Sequence, residues 1–384
     1  MKKALKYLIV FIVLLNLIII ITGKTWMYKA ISITYLKGYT SSYIDDFFYF
    51  PSNEISKGNH QPWLEAKDYN KKNIPAFLNS INEKFGTVAY LIIQNDSIKH
   101  EQYWQGYSAD TMSNSFSMAK TFVSTLIGVA IKEGKIQSVN QPVCDFIPEF
   151  CEGDKSIITI KHLLTMSSGL DWNENYFNPL GQTAEAYYGS NLRELVLNID
   201  AIEKPGEIFK YHSSCTQILA FIVEAAMGKT ISELLSDKIW KPLGARNSAL
   251  WSTDTEGGDE KAFCCINTNA RDFARWGKLF MDFGFWNNTQ ILDTSYIKQA
   301  ISPAKLKDRK GQDNINYGYQ IWMTNKYDFD VFYARGHWGQ YVICIPEKNM
   351  IIVRLGRKYG KILEDNHHED FYSYIDAALE MYSN

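Results

Sequence analysis

Strand-like segments stand near both ends of this 384-residue chain, and helical periodicity fills the stretch between them. The first is Thr87-Val88-Ala89-Tyr90-Leu91-Ile92-Ile93, rich in β-branched and aromatic residues. Asn95-Asp96 then offers a turn into a second strand over 98–104, which predicts a hairpin. Near the other end, residues 332–334, 340–345 and 350–355 read as strands, followed by a helix over 371–381. In between, Phe116, Ala119, Phe122, Val123, Leu126, Ile127, Ala130 and Ile131 recur at helical spacing, and Gly134 can end that helix. Further helices are predicted over 160–166, 216–227, 231–240 and 269–283, with Gly228 and Gly284 as stops. Strands need partners, so this order predicts an α/β (α+β) fold. An antiparallel sheet is built from both ends of the chain and flanked by helices, with an all-helical region inserted at about 135–260. A 46% hydrophobic, 21% charged composition supplies a core for one large domain over 76–384 and excludes wholesale disorder.

The N-terminus follows different rules. Lys2, Lys3 and Lys6 precede an apolar run over 7–22 broken only by Asn16, and Lys24, Trp26 and Tyr28 follow. No A-x-A cleavage pattern appears near Gly23, so residues 1–24 read as an uncleaved signal anchor, with a cleaved signal peptide as the alternative. The leading lysines place the N-terminus inside and the remaining chain outside the cytoplasm, periplasmic or extracellular. Residues 25–75 contain Pro51, Gly58 and Pro62 without clean periodicity and read as a tether or N-terminal extension. A formal charge of −2 with no basic block argues against a nucleic-acid partner. Among six cysteines, Cys144 and Cys151 flank Pro148 closely enough to close a small loop. No C-x2-C pair suggests a metal, and buried thiols are the alternative for all six.

Three Ser-x-x-Lys patterns occur, starting at Ser117, Ser295 and Ser302. Only Ser117 opens a long apolar helix, where free backbone N–H groups favour developing negative charge. Lys120 lies one turn on, on the same face. Downstream stand Tyr211-His212-Ser213, ahead of a helix, and Gly336-His337-Trp338-Gly339-Gln340, ahead of an apolar strand. There is no H-E-x-x-H zinc motif, phosphate-binding loop or G-x-S-x-G elbow.

Taken in order, Ser117-Met118-Ala119-Lys120, Ile160 through Leu170, Pro205 through Ser213, Pro242-Leu243-Gly244, Arg271 through Gly277 and Gly336 through Gln340 resemble the serine β-lactamase-like superfamily. The resemblance covers roughly residues 85–380 and is nearest the class C branch, which includes esterases, D-amino-acid peptidases and nylon-oligomer (aminohexanoate-dimer) hydrolases. It implies a serine hydrolase acting on a small ester or amide through an acyl-enzyme, without a cofactor. Ser117 is then the nucleophile, and Lys120 and Tyr211 share the proton transfers, with the choice of base open. The resemblance also implies an oxyanion hole from the backbone N–H groups of Ser117 and Gln340, and a cleft lined by Trp338 and Tyr176. The segment Asp171-Trp172-Asn173-Glu174-Asn175-Tyr176 resembles the nylon-hydrolase loop, whose tyrosine helps hold the amide.

Two positions depart from class C lactamases, which carry Tyr-x-Asn and Lys-Thr-Gly. Ser213 offers one hydroxyl where Asn offers an amide, and His337-Trp338-Gly339 lacks the permanent cation of Lys. An ester or amide without the lactam's carboxylate is therefore expected. The alternatives are a β-lactamase or D-amino-acid peptidase on cell-wall substrates, or a non-catalytic membrane-anchored sensor.

Overall fold

The computed structural model describes residues 1–176 and 178–382. Helix α1 (Lys2–Ile21) is followed by α2 (Trp26–Ile33), β1 (Ser52–Ile55), β2 (Leu64–Glu65), α3 (Ala76–Lys84), β3 (Thr87–Gln94), β4 (Ser97–Tyr103) and β5 (Ser113–Asn114). The helical middle comprises α4 (Ala119–Lys132), α5 (Ile160–Leu164), α6 (Gln182–Tyr188), α7 (Leu192–Leu197), α8 (Ser213–Met227) and α9 (Ile231–Leu235). Then come β6 (Ala249–Ser252), β7 (Ile266–Thr268), α10 (Ala270–Met281), β8 (Phe285–Trp286), β9 (Thr289–Gln290) and α11 (Thr294–Ala300). The chain closes with β10 (Trp322–Thr324), β11 (Val331–Gly336), β12 (Gln340–Ile345), β13 (Met350–Gly356) and α12 (Glu369–Tyr382).

The two ends of the chain do build one sheet, ordered β10-β11-β12-β13-β3-β4-β2. Its seam is the antiparallel pairing of β13 with β3, which aligns Met350 with Gln94 and Leu355 with Ala89. Both seam strands are buried almost throughout, which explains their continuous apolar character. Asn95 and Asp96 both take positive φ, closing the β3–β4 hairpin in the way a two-residue turn requires. Helix α10 packs on β12 and β13, while α12 packs on β13 and on α3.

The inserted region is not all-helical. Strands β6 and β7 pair with each other and extend into a second sheet, β1-β6-β7-β5. Strands of two to four residues are too short to show a period in the sequence. Of the two readings of residues 25–75, tether or N-terminal extension, the same sheet favours the extension. Strand β1 pairs from Ser52↔Ser252 to Ile55↔Ala249, and Ile44, Ile55 and Asp46 are fully buried. The segment is an extension packed onto the body, held by partners some 200 residues away that leave no local signature.

Cys144 and Cys151 are disulfide-bonded, as are the adjacent Cys264 and Cys265, while Cys215 and Cys344 are buried thiols. Helix α1 has a mean hydropathy of 2.8 and is left almost wholly exposed. Its 20 residues extend about 30 Å, the thickness of a bilayer's hydrocarbon core. It is the one helix among the described residues long and apolar enough to cross a membrane. Asn16, the interruption in its apolar run, accepts the Tyr28 hydroxyl at 2.7 Å. That bond joins residues twelve apart, so the chain bends between α1 and α2 instead of running straight.

Candidate active site

The turn between β5 and α4 is built to present a serine. The Asn114 side-chain carbonyl accepts the Phe116 N–H at 2.9 Å, and Ser115 Oγ accepts the Ile266 N–H at 3.0 Å. These bonds hold Phe116 at φ +44°, a left-handed conformation that a bulky residue adopts only under surrounding constraint. A single 3-10 turn over Phe116–Met118 then leads into α4, leaving Ser117 at the electropositive entrance of that helix. Across the gap, β11 comes very close. A Cβ on Gly336 would lie 2.1 Å from the Ser115 carbonyl oxygen, so only glycine fits there.

Lys120 is buried one helical turn beyond the serine. Its Nζ donates to Ser117 Oγ at 3.1 Å, to Ser213 Oγ at 3.3 Å and to the Phe263 carbonyl at 2.7 Å. Burial pulls its pKa down to about 8, against a smaller upward pull from the Glu174 charge. Tyr211 lies on the same gap, its ring centroid 5.2 Å from Lys120 Nζ. Burial and then the Glu174 charge hold that phenol well above its ordinary value, and the nearby Ser117 offsets them only in part. The ring is wedged against Tyr317 and Trp322. Its backbone is fixed by neighbours on both sides, with Lys210 N–H bonded to the Met166 carbonyl and His212 N–H to Met166 Sδ. The structure thus brings together Ser117, Lys120, Tyr211 and Ser213.

Glu174 is the residue that sequence reasoning missed. Its carboxylate accepts the Ser213 N–H at 2.8 Å and the Ser213 hydroxyl at 2.6 Å, capping the N-terminus of α8. It also accepts the Trp172 indole at 2.6 Å and the Tyr176 hydroxyl. A chain of contacts therefore runs from Lys120 through Ser213 to Glu174 and Tyr176. Glu174 does stand two positions from Tyr176, but nothing local tells which distant helix an acidic loop residue will cap.

The third element differs residue by residue. His337 lies edge-on to Phe116 at 5.6 Å and stacks with Tyr176 at 5.4 Å; burial pushes its pKa down to about 4, so the ring is neutral. Tyr176 is 47% exposed and sits with His337, Phe116, Ser117 and Ser213 on the wall of a cavity of about 80 Å³. Trp338 does not line that cavity. Its indole stacks on Tyr359 and donates to the Ser42 carbonyl at 2.7 Å, tying down the N-terminal extension. Gly339 takes φ +76° in the turn between β11 and β12. The Gln340 side chain is clamped by the Gly356 backbone at 2.6 and 3.0 Å and by the His337 carbonyl at 2.9 Å, which fixes the start of β12. Residues of the extension itself, Ser41 and Ser42, complete the cavity together with Tyr187 and Tyr188 of α6.

The sequence pattern of the Beta-lactamase family matches residues 74–372. The chain belongs to that family. It is 26% identical over 290 residues to a 6-aminohexanoate-dimer hydrolase from Paenarthrobacter ureafaciens, an alignment spanning 71% of this chain and 73% of that one. It is also 26% identical to the esterase EstB of Burkholderia gladioli, over 38% of this chain and 40% of the relative. Among solved structures, a Bacillus anthracis protein provisionally assigned as a 6-aminohexanoate-dimer hydrolase superposes with a TM-score of 0.75. It is 22% identical, with 94% of this chain and 96% of that chain covered. A family VIII carboxylesterase superposes with a TM-score of 0.63 at 17% identity, covering 84% and 99% of the two chains. The protein is a serine hydrolase of the β-lactamase-like superfamily, acting on ester or amide bonds.

Proposed function

We propose that Ser117 attacks the substrate carbonyl and carries the acyl group, with Lys120 as the base. The observation that carries this reading is the 3.1 Å contact from Lys120 Nζ to Ser117 Oγ, made by an amine whose pKa has fallen to about 8. At that value about a tenth of the lysine is neutral at pH 7, enough to accept the serine proton. Tyr211 stays protonated throughout the neutral range, so it acts as the donor that protonates the departing alcohol or amine. The backbone N–H groups of Ser117 and Gln340 hold the oxyanion, and water then releases the acid from Ser117. Tyr176, with its hydroxyl on Glu174 and its ring on His337, holds the scissile group from the loop side.

Two features favour an ester or amide over a β-lactam. His337 is neutral where a cation would be needed to bind the lactam's carboxylate, and the Ser213 hydroxyl is already committed to Glu174. The chain is exported and held at the membrane by α1, whose length and hydropathy suit a bilayer. Hydrolysis of p-nitrophenyl acetate tests the reading. An initial burst stoichiometric with enzyme is expected, with little turnover of nitrocefin. No ester turnover at all would sink it.

A further inference from the structure

The cavity stands next to the membrane segment. Lys24, two residues past the bend that ends α1, lies 3.6 Å from Glu185 on α6. The same short helix gives Thr183, Ala184, Tyr187 and Tyr188 to the cavity wall. Seven residues of helix span only about 10 Å. With α1 across a bilayer and Lys24 at its surface, the entrance to the serine is therefore within about one helix length of the lipid.

The segment that follows α2 presents an exposed apolar rim. Leu36 is 75% exposed and Phe48 is 78% exposed, with Tyr35, Tyr39 and Tyr49 also open to solvent. All five fall between residues 35 and 49. Lys37 Nζ lies 6.0 Å from the Tyr49 ring, Tyr39 stacks on Tyr43 at 3.6 Å, and Phe47 packs on Phe48 at 4.1 Å. Ser41 and Ser42, between Tyr39 and Phe48 in the chain, line the cavity. Exposed aromatic and leucine side chains shortly after an apolar N-terminal helix have the composition of a membrane–water interface.

We propose that this rim docks on the bilayer and that the enzyme draws its substrate from it: an ester or amide whose long apolar chain is dissolved among the lipids. The proposal rests on the serine-hydrolase reading above. The acyl chain rises from the lipid past Leu36 and Phe48 into the cavity. Ser117 takes the acyl group as the bond to the alcohol or amine breaks, the leaving group takes a proton, and water then frees the fatty acid.

The test uses the full chain reconstituted in phosphatidylglycerol–phosphatidylcholine vesicles, with p-nitrophenyl palmitate dissolved in the lipid and p-nitrophenyl acetate in the water. The wild-type chain is expected to hydrolyse the palmitate in its bilayer. Leu36→Glu/Phe48→Glu is expected to lose roughly tenfold or more of that rate while acetate hydrolysis stays within about twofold of wild type. Acetate turnover without palmitate turnover in the wild type would overturn the proposal and leave the hydrolase intact. Equal palmitate rates in wild type and double variant would also overturn it. Absence of acetate turnover in the wild type would instead remove the hydrolase reading on which it rests.

Discussion

At the scale of single residues, the site works by making a lysine uncomfortable. Lys120 is buried, and its three hydrogen bonds run to two hydroxyls and a carbonyl instead of to a carboxylate. Its depressed pKa makes a pH prediction with a definite sign. In the proposed mechanism the amine is the active form, so kcat/KM for an ester is expected to rise with pH and level off above about 8. Glu174 pulls that value upward, so Glu174→Gln is expected to shift the rising limb toward lower pH; a purely structural role would lower the rate without moving the limb. Lys120→Ala should reduce kcat/KM by about 10²–10⁴, and Tyr211→Phe by a comparable factor. The meeting of Ser117, Lys120 and Tyr211 was legible in the sequence because they stand in ordered motifs. Glu174 was not, since its partner Ser213 is 39 residues away and helix capping across a loop leaves no spacing rule.

At the scale of elements, the edge of β11 and the turn before α4 act as two jaws. Gly336 sets their separation. Gly336→Ala forces a methyl against the Ser115 carbonyl, and we expect a loss of about 1–3 kcal/mol in stability together with a larger loss in kcat than in KM, read by thermal melting and steady-state kinetics. The long strands of the main sheet were readable because they are buried along their whole length and carry unbroken apolar runs. The second sheet was hidden because β5 and β7 have two and three residues, and their identity as strands comes only from pairing. Trp338 was misplaced for a related reason: a tryptophan beside a catalytic motif reads as cleft lining, whereas its indole is spent on a backbone carbonyl of the N-terminal extension.

For the whole molecule, that extension is a structural part of the catalytic unit. Asp46 accepts the Tyr187 hydroxyl at 2.9 Å, and Tyr187 in turn accepts the Asn114 amide at 3.1 Å, the same side chain that fixes Phe116 ahead of Ser117. A buried thread thus runs from residue 46 to the residue before Ser117, the proposed nucleophile. Removing Ile44, Phe50 and Ile55 would forfeit about 1.5–3 kcal/mol each, which is comparable in sum to the whole stability of an ordinary domain. A chain beginning at residue 25 is therefore expected to melt cooperatively, and one beginning at residue 60 to lose its cooperative transition and its ester hydrolysis. A truncation at 60 that melts like the longer chain would show the extension to be dispensable. Little in residues 25–75 announces this on its own, because the strand pairing and the Asp46–Tyr187 bond that tie the segment to the body are made with sequence far downstream.

The central claim is that Ser117 carries the acyl group. Treating the protein with a fluorophosphonate and mapping the adduct by peptide mass spectrometry tests it most directly. One phosphonylated residue, Ser117, with no adduct on Ser117→Ala, is the expected result. A modification elsewhere, or one that persists in Ser117→Ala, would contradict it.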